Sequence, residues 1–152
     1  MSGSEGPGAQ DRARRLVEEV TARWAASPGS GVVWTGDHEG RHGVRLHQVG
    51  RDFTTVWFRV GERTLAVEAY VLPAPPPGRR EEAFRQCLAR NLSSRRLHFA
   101  LDRHGDLLLV GRVPLGEVDE GELELVLGEA HEAIALALPA LGRASREREK
   151  NP

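Results

Sequence analysis

Apolar residues recur at helical spacing over DRARRLVEEVTARWA, which puts Leu16, Val17, Val20 and Trp24 on one side of a helix starting near Asp11. Ser27-Pro28-Gly29 ends it. The glycine-rich run GVVWTGDHEGRHG has no sustained period and supports only a short strand at Val32–Trp34. Beyond it the period becomes two. VRLHQV, FTTVWFRV and TLAVEAYVL alternate and are rich in β-branched and aromatic residues, so they read as strands. PAPPPG then stops the sheet, because consecutive prolines bring no ladder donors. REEAFRQCLARNL returns to helical spacing, with Phe84, Cys87, Leu88, Asn91 and Leu92 on its inner side. A hairpin from about Leu97 to Val113 follows, closed by Pro114. Asp119-Glu120-Gly121-Glu122 has the form of a capping box and starts a helix bearing Leu123, Leu127, Ala130 and Ile134, which Pro139 should kink or end. The expected order is α-β-β-β-α-β-β-α: an α+β domain with an antiparallel sheet of about five strands and three helices.

Parity fixes which side chains share a face. Val56, Phe58 and Val60 match Leu65, Val67, Ala69 and Val71 only across a loop with an even number of residues. Gly61-Glu62 as a type II′ turn satisfies this, and so does the longer loop GERT. Both put Phe53, Trp57 and Tyr70 on the opposite face. In the last hairpin, setting Leu101 against Leu107 puts Phe99 opposite Leu109 and leaves the loop Arg103-His104-Gly105, with glycine in the left-handed position. Leu108, Val110 and Ala100 then lie on the second side. An antiparallel sheet apolar on both sides is unusual, since one side is commonly solvated. Either helices wrap both faces or another chain covers one. Phe53, Trp57, Tyr70, Leu108 and Val110 are the candidate protein-interaction residues.

The chain of 152 residues fits one domain, taken as 11–143. Residues 1–10 and 144–152 read as disordered tails, the first rich in Gly and Ser, the second highly charged. Twenty-one basic against twenty-two acidic residues leave a net charge of −1, so no bulk attraction to nucleic acid or anionic lipid is expected. Basic residues are almost all arginine; with abundant Ala, Gly and Leu, this suits a GC-rich bacterial genome. One cysteine, Cys87, excludes an intrachain disulfide. No signal peptide or bilayer-spanning run is recognised, which points to the cytoplasm.

Candidate chemistry is sparse. Asp102 and Asp106 flank the last hairpin's corner, but two carboxylates four apart do not make a calcium loop, and a strand rather than a helix follows, so no phosphate cradle forms. A turn is the reading. His38 and His42, with Asp37 or His47 as a third ligand, lack the HExxH arrangement, and the glycines around them favour a polar loop. Cys87, on an apolar helix face, reads as an inert thiol. No GxSxG, Walker A or dinucleotide motif occurs, and the carboxylates read as solvated helix charge. Arg79-Arg80 and Arg95-Arg96 flank the second helix without an aromatic RNA-binding strand motif. No catalytic, cofactor or metal residues are assigned.

FRQCLARN, LHFALDRHGDLLLVGRVPL and ELELVLGEAHEAI resemble the YbjN family: a helix ending in a Leu-x-x-Asn-like element, a strand–turn–strand with Asp and Gly at its corner, a Gly-Arg-x-Pro-Leu-like exit, then a helix opening with Glu-Leu. GRDFTTVWFRVGERTLAVEAYVLP is similar to that family's first sheet, so the resemblance spans most of residues 40–135. It implies a fold like the type III secretion chaperones, small proteins that commonly dimerise and hold unfolded client segments, and a role in sensory transduction or stress regulation. The expected function is a non-enzymatic, chaperone-like module, a homodimer, that engages an apolar or extended segment of a client or regulatory protein. The alternative is a small-molecule or nucleotide sensor with Arg and His as anion contacts.

Overall fold

A computed structural model describes the backbone of residues 7–150 and the side chains of residues 8–142. Helix α1 (Pro7–Ala25) precedes four strands: β1 (Val32–His38), β2 (Arg41–Gln48), β3 (Arg51–Val60) and β4 (Thr64–Leu72). Helix α2 (Arg80–Asn91), strands β5 (Leu97–Leu101) and β6 (Leu107–Pro114), and helix α3 (Glu120–Lys150) complete the chain. The strands form one six-stranded sheet in the order β1-β2-β3-β4-β6-β5, with every neighbouring pair antiparallel. The α+β class and the three helices are as expected.

The sixth strand is the correction. Residues 31–43 hold more than the short strand expected at Val32–Trp34: β1 and β2 pair as a hairpin from Val32↔Leu46 to His38↔Arg41. Its two-residue turn is Glu39-Gly40, with φ of 53° and 77°, the double left-handed pattern of a type I′ turn. Glycines inside the strands hid it. Gly36 and Gly43 sit beneath the indoles of Trp34 and Trp57, where an added Cβ would lie 2.5 Å and 2.7 Å from ring atoms. Rings that cover a strand glycine replace the side chain it lacks.

At the β3–β4 joint the longer loop wins: Val60 pairs with Leu65, and the Gly61 amide donates to the Thr64 carbonyl at 2.9 Å. The last hairpin has the expected register, Leu101↔Leu107 and Phe99↔Leu109, with Gly105 at φ 85°.

Helix limits differ more. α1 begins at Pro7, so residues 7–10 are helical; residues 1–6 lie outside the described part. Proline suits a first helical position because the amide it lacks would be unpaired there. α3 neither stops nor is cut short at Pro139 but continues to Lys150, making residues 144–150 helical; 151 and 152 are outside the described part. Pro139 lies on the exposed side, so the Ala135 carbonyl that loses its donor stays near solvent. Asp119 caps α3 as expected, accepting from the Glu122 amide at 2.7 Å. The Glu122 carboxylate does not reach back to complete the box. It pairs with Arg96 at 2.7 Å instead.

One core joins all three helices to one side of the sheet. Ala13, Val17 and Val20 of α1, Ala83 and Cys87 of α2, and Leu123, Leu127, Ala130 and Ile134 of α3 are buried against Val44, Val56, Phe58, Val67, Leu97, Phe99 and Leu109. On α2 the apolar stripe is displaced from the expected one. Leu88 and Leu92 are 70% and 91% exposed, because the helix turns Ala83 and Cys87 inward, one position round from them. Residues Glu120–Gly142 of α3 are long and apolar enough to cross a bilayer by length and composition, contrary to the expectation. Their apolar side is the stripe that packs on the sheet.

Candidate functional site

Because the helices share one side, the other side of the sheet is uncovered. Alternation puts Trp34 of β1, Arg41 and Arg45 of β2, Phe53, Trp57 and Arg59 of β3, Glu68 and Tyr70 of β4, and Leu108, Val110 and Arg112 of β6 on it. All five residues singled out from the sequence are therefore on this open face. Trp57 opposes Glu68, which opposes Val110; Tyr70 opposes Leu108. Phe53 and Tyr70 are each 46% exposed, while Trp57, Leu108 and Val110 are half-buried by their strand neighbours.

Arginines lie among the aromatics. The Arg41 guanidinium is 4.3 Å from the Trp57 ring centre; that of Arg45 is 4.9 Å from Trp34 and 5.7 Å from Phe53. Cation–π contacts of this kind are worth about 0.5–1 kcal/mol at exposed sites. Arg41 also meets Glu68 at 3.9 Å. A groove of about 1020 Å³ opens beside Trp57 and Val110, with Arg59 and Arg112 on its walls. Burial, and then the carboxylates of Asp106 and Asp102, raise the Tyr70 phenol above its ordinary pKa, so it stays neutral. Sequence reasoning misses Trp34 and the arginines as site residues: Arg41 lies in the unassigned glycine-rich run, and Trp34, Arg45, Arg59 and Arg112 lie in expected strands whose shared face only the register reveals. The signal was present as GVVW and RHGVRLH, where the period of two runs through a glycine.

The sheet's edge at β5 is closed. Asn91 of α2 donates to the Phe99 carbonyl at 3.1 Å and accepts the Phe99 amide at 2.7 Å. Glu129 of α3 accepts the Arg96 and Leu97 amides, each at 2.9 Å. Backbone groups that would recruit another strand are thereby satisfied.

The corner between β5 and β6 is a turn in fact. Asp102 accepts the His104 and Asp106 amides at 2.8 and 3.0 Å, and Asp106 accepts the Ala74 amide at 2.9 Å. His42 and Asp37 do come together, Nδ1 to Oδ1 at 2.7 Å, and Glu18 of α1 joins them, with one donor atom from each residue within 4.8 Å of the others. These three could hold a cation. His42 Nε2 is already 2.9 Å from Thr21 Oγ1, so both ring nitrogens have oxygen partners, and the group ties α1 to the β1–β2 hairpin. Neither His38 nor His47 belongs to it. Cys87 is buried, and burial raises its thiol pKa, the opposite of an activated nucleophile.

A six-stranded antiparallel sheet with one helical layer and an arginine–aromatic open face defines a small α+β protein. Residues 19–143 match the family described as "Putative bacterial sensory transduction regulator", and the chain belongs to this YbjN family. Uncharacterized proteins of Mycobacterium tuberculosis (strain H37Rv) and Mycobacterium bovis are 39% identical to it over 75 residues, which is 49% of this chain and 40% of each relative. One from Mycobacterium leprae is 37% identical over 81 residues, 53% of this chain and 44% of its own length. The matched stretch thus spans less than half of these relatives.

Proposed function

We propose that this YbjN-family protein is a non-enzymatic, chaperone-like module of the bacterial cytoplasm that binds a segment of another protein on its open sheet face. One observation carries the reading: all three helices pack on a single side, leaving Trp34, Phe53, Trp57, Tyr70, Leu108 and Val110 without cover. Aromatic side chains with low rotamer freedom are efficient anchors. Six strands ~4.8 Å apart and about eight residues long span on the order of 600 Å², close to the ~800 Å² one partner contributes to a standard interface. Strand addition at β5 is disfavoured, because Asn91 and Glu129 already occupy its edge. A free, buried cysteine suits a reducing compartment. A nucleotide-sensor reading has less support, since the groove is an open shelf rather than an enclosed pocket.

The test is suppression of aggregation of a model client, reduced insulin, followed by light scattering. The native protein should slow it, and the double variant Phe53→Asp, Tyr70→Asp should not, with an unchanged thermal midpoint. Equal protection by both proteins would remove the face from the function.

A further inference from the structure

The charges on the open face differ from those of the chain as a whole. The molecule carries a net −1, yet the open strands present Arg41, Arg45, Arg59 and Arg112 against Glu68, and the groove adds Arg95 and Arg96 with Glu117 and Glu122, so the arginines still outnumber the carboxylates. Glu68 is held by Arg41. Among the described residues Arg45, Arg59 and Arg112 have no carboxylate partner. Arg59 reaches only the Glu39 carbonyl at 3.4 Å and Arg112 only the Thr64 hydroxyl at 3.3 Å, both long and exposed. Both guanidiniums line the groove beside Trp57 and Val110, so cations and apolar surface are presented together.

We infer that the partner segment is acidic, with carboxylates reaching Arg59 and Arg112 while its apolar side chains lie on Trp57, Val110, Leu108 and Tyr70. This rests on the protein-binding reading above and names the partner's chemistry. Charge argues against a second copy, and the placement of the indoles against a nucleic acid. Two copies packed through this face would bring together more arginines than carboxylates, and like charges in an interface oppose association. A single-stranded nucleic acid needs open ring faces for its bases. The indoles of Trp34 and Trp57 instead lie against Gly36 and Gly43, with Arg45 and Arg41 over them.

The experiment is fluorescence anisotropy with a labelled peptide alternating Glu and Leu, a matched peptide alternating Lys and Leu, and a labelled oligo-dT, over a range of salt. The protein should bind the Glu peptide about tenfold more tightly than the Lys peptide, less so as salt rises. The variant Arg59→Glu, Arg112→Glu should reverse that order. Equal binding of both peptides, lost in Tyr70→Asp, would overturn the acidic partner while leaving the protein-binding face standing. Tighter binding of oligo-dT would overturn it for a nucleic acid. Binding of neither peptide, with a concentration-dependent doubling of mass that Tyr70→Asp abolishes, would overturn it for a second copy and take the client reading down too.

Discussion

Glu129 is the residue whose loss should reveal most about how the sheet is closed. It stands on α3, yet its carboxylate accepts the backbone amides of Arg96 and Leu97 at 2.9 Å and lies 3.8 Å from the Arg96 guanidinium. Only 19% of its side chain is exposed. Hydrogen bonds to a charged partner contribute about 1.5–3 kcal/mol each, and a donor left unpaired keeps its desolvation cost. Part of that cost is recovered, because the freed amides lie at a sheet edge that water reaches. Glu129→Ala should therefore cost about 3 kcal/mol, and Glu129→Gln, which keeps one acceptor oxygen, about half of that. For a domain of this size 1 kcal/mol corresponds to roughly 2–4 °C, so the Ala variant should melt about 6–12 °C lower. Calorimetry or circular dichroism melts would measure it. The reasoning is refuted if both variants melt within a degree of the native protein, because Glu129 would then be ordinary helix-surface charge. A graded loss, Ala beyond Gln, is the signature of amide capping.

Two further outcomes are expected. Gly105→Val should destabilise by about 1–3 kcal/mol, since the cost is that of a β-branched residue at positive φ; the nearest atom, Ala74 Cβ, is 3.5 Å from the new carbon and leaves room. An unchanged urea midpoint would show that the loop can flip. Cys87 should react with Ellman's reagent at pH 8 far more slowly than a free thiol and at the full rate in urea, because burial both hides it and keeps it protonated. Rapid reaction in the native state would mean that α2 detaches from the core.

The sequence shows most where side-chain alternation is unbroken. β3, β4, β5 and β6 each present an apolar row; parity puts Phe53, Trp57 and Tyr70 on the second side of one hairpin and Leu108 and Val110 on the second side of the other, and the β4–β6 register Glu68↔Val110 and Tyr70↔Leu108 joins them. It fails where glycine stands for a side chain supplied from elsewhere. Gly36 and Gly43 read as loop because the rings that cover them come from Trp34, two residues away, and from Trp57 on the next strand. No local period carries that. One carboxylate fails similarly: Glu129 looks like solvated helix charge until the fold brings backbone amides to it. On α2 the stripe through Leu88 and Leu92 is as periodic as the one that is buried, and only contact with α3 and β5 decides between them.

Closure of the β5 edge and openness of the face have one origin. A short edge strand whose outward amides are taken by Asn91 and Glu129 cannot easily extend its sheet, and both capping residues come from helices on the core side. Holding those helices there is what leaves the opposite face without cover. Exposed apolar sheet is a liability unless something limits self-pairing. Here the guanidiniums of Arg41, Arg45, Arg59 and Arg112 supply that limit, because they favour an acidic partner and penalise a second copy of the same face. Any dimer of this chain should therefore form elsewhere, and the exposed Leu88 of α2 and Leu92 just past its end are an alternative on the helical side. Leu92→Glu should then lower a dimer's mass in light scattering without altering peptide binding, and loss of both together would mean that one surface serves the two roles.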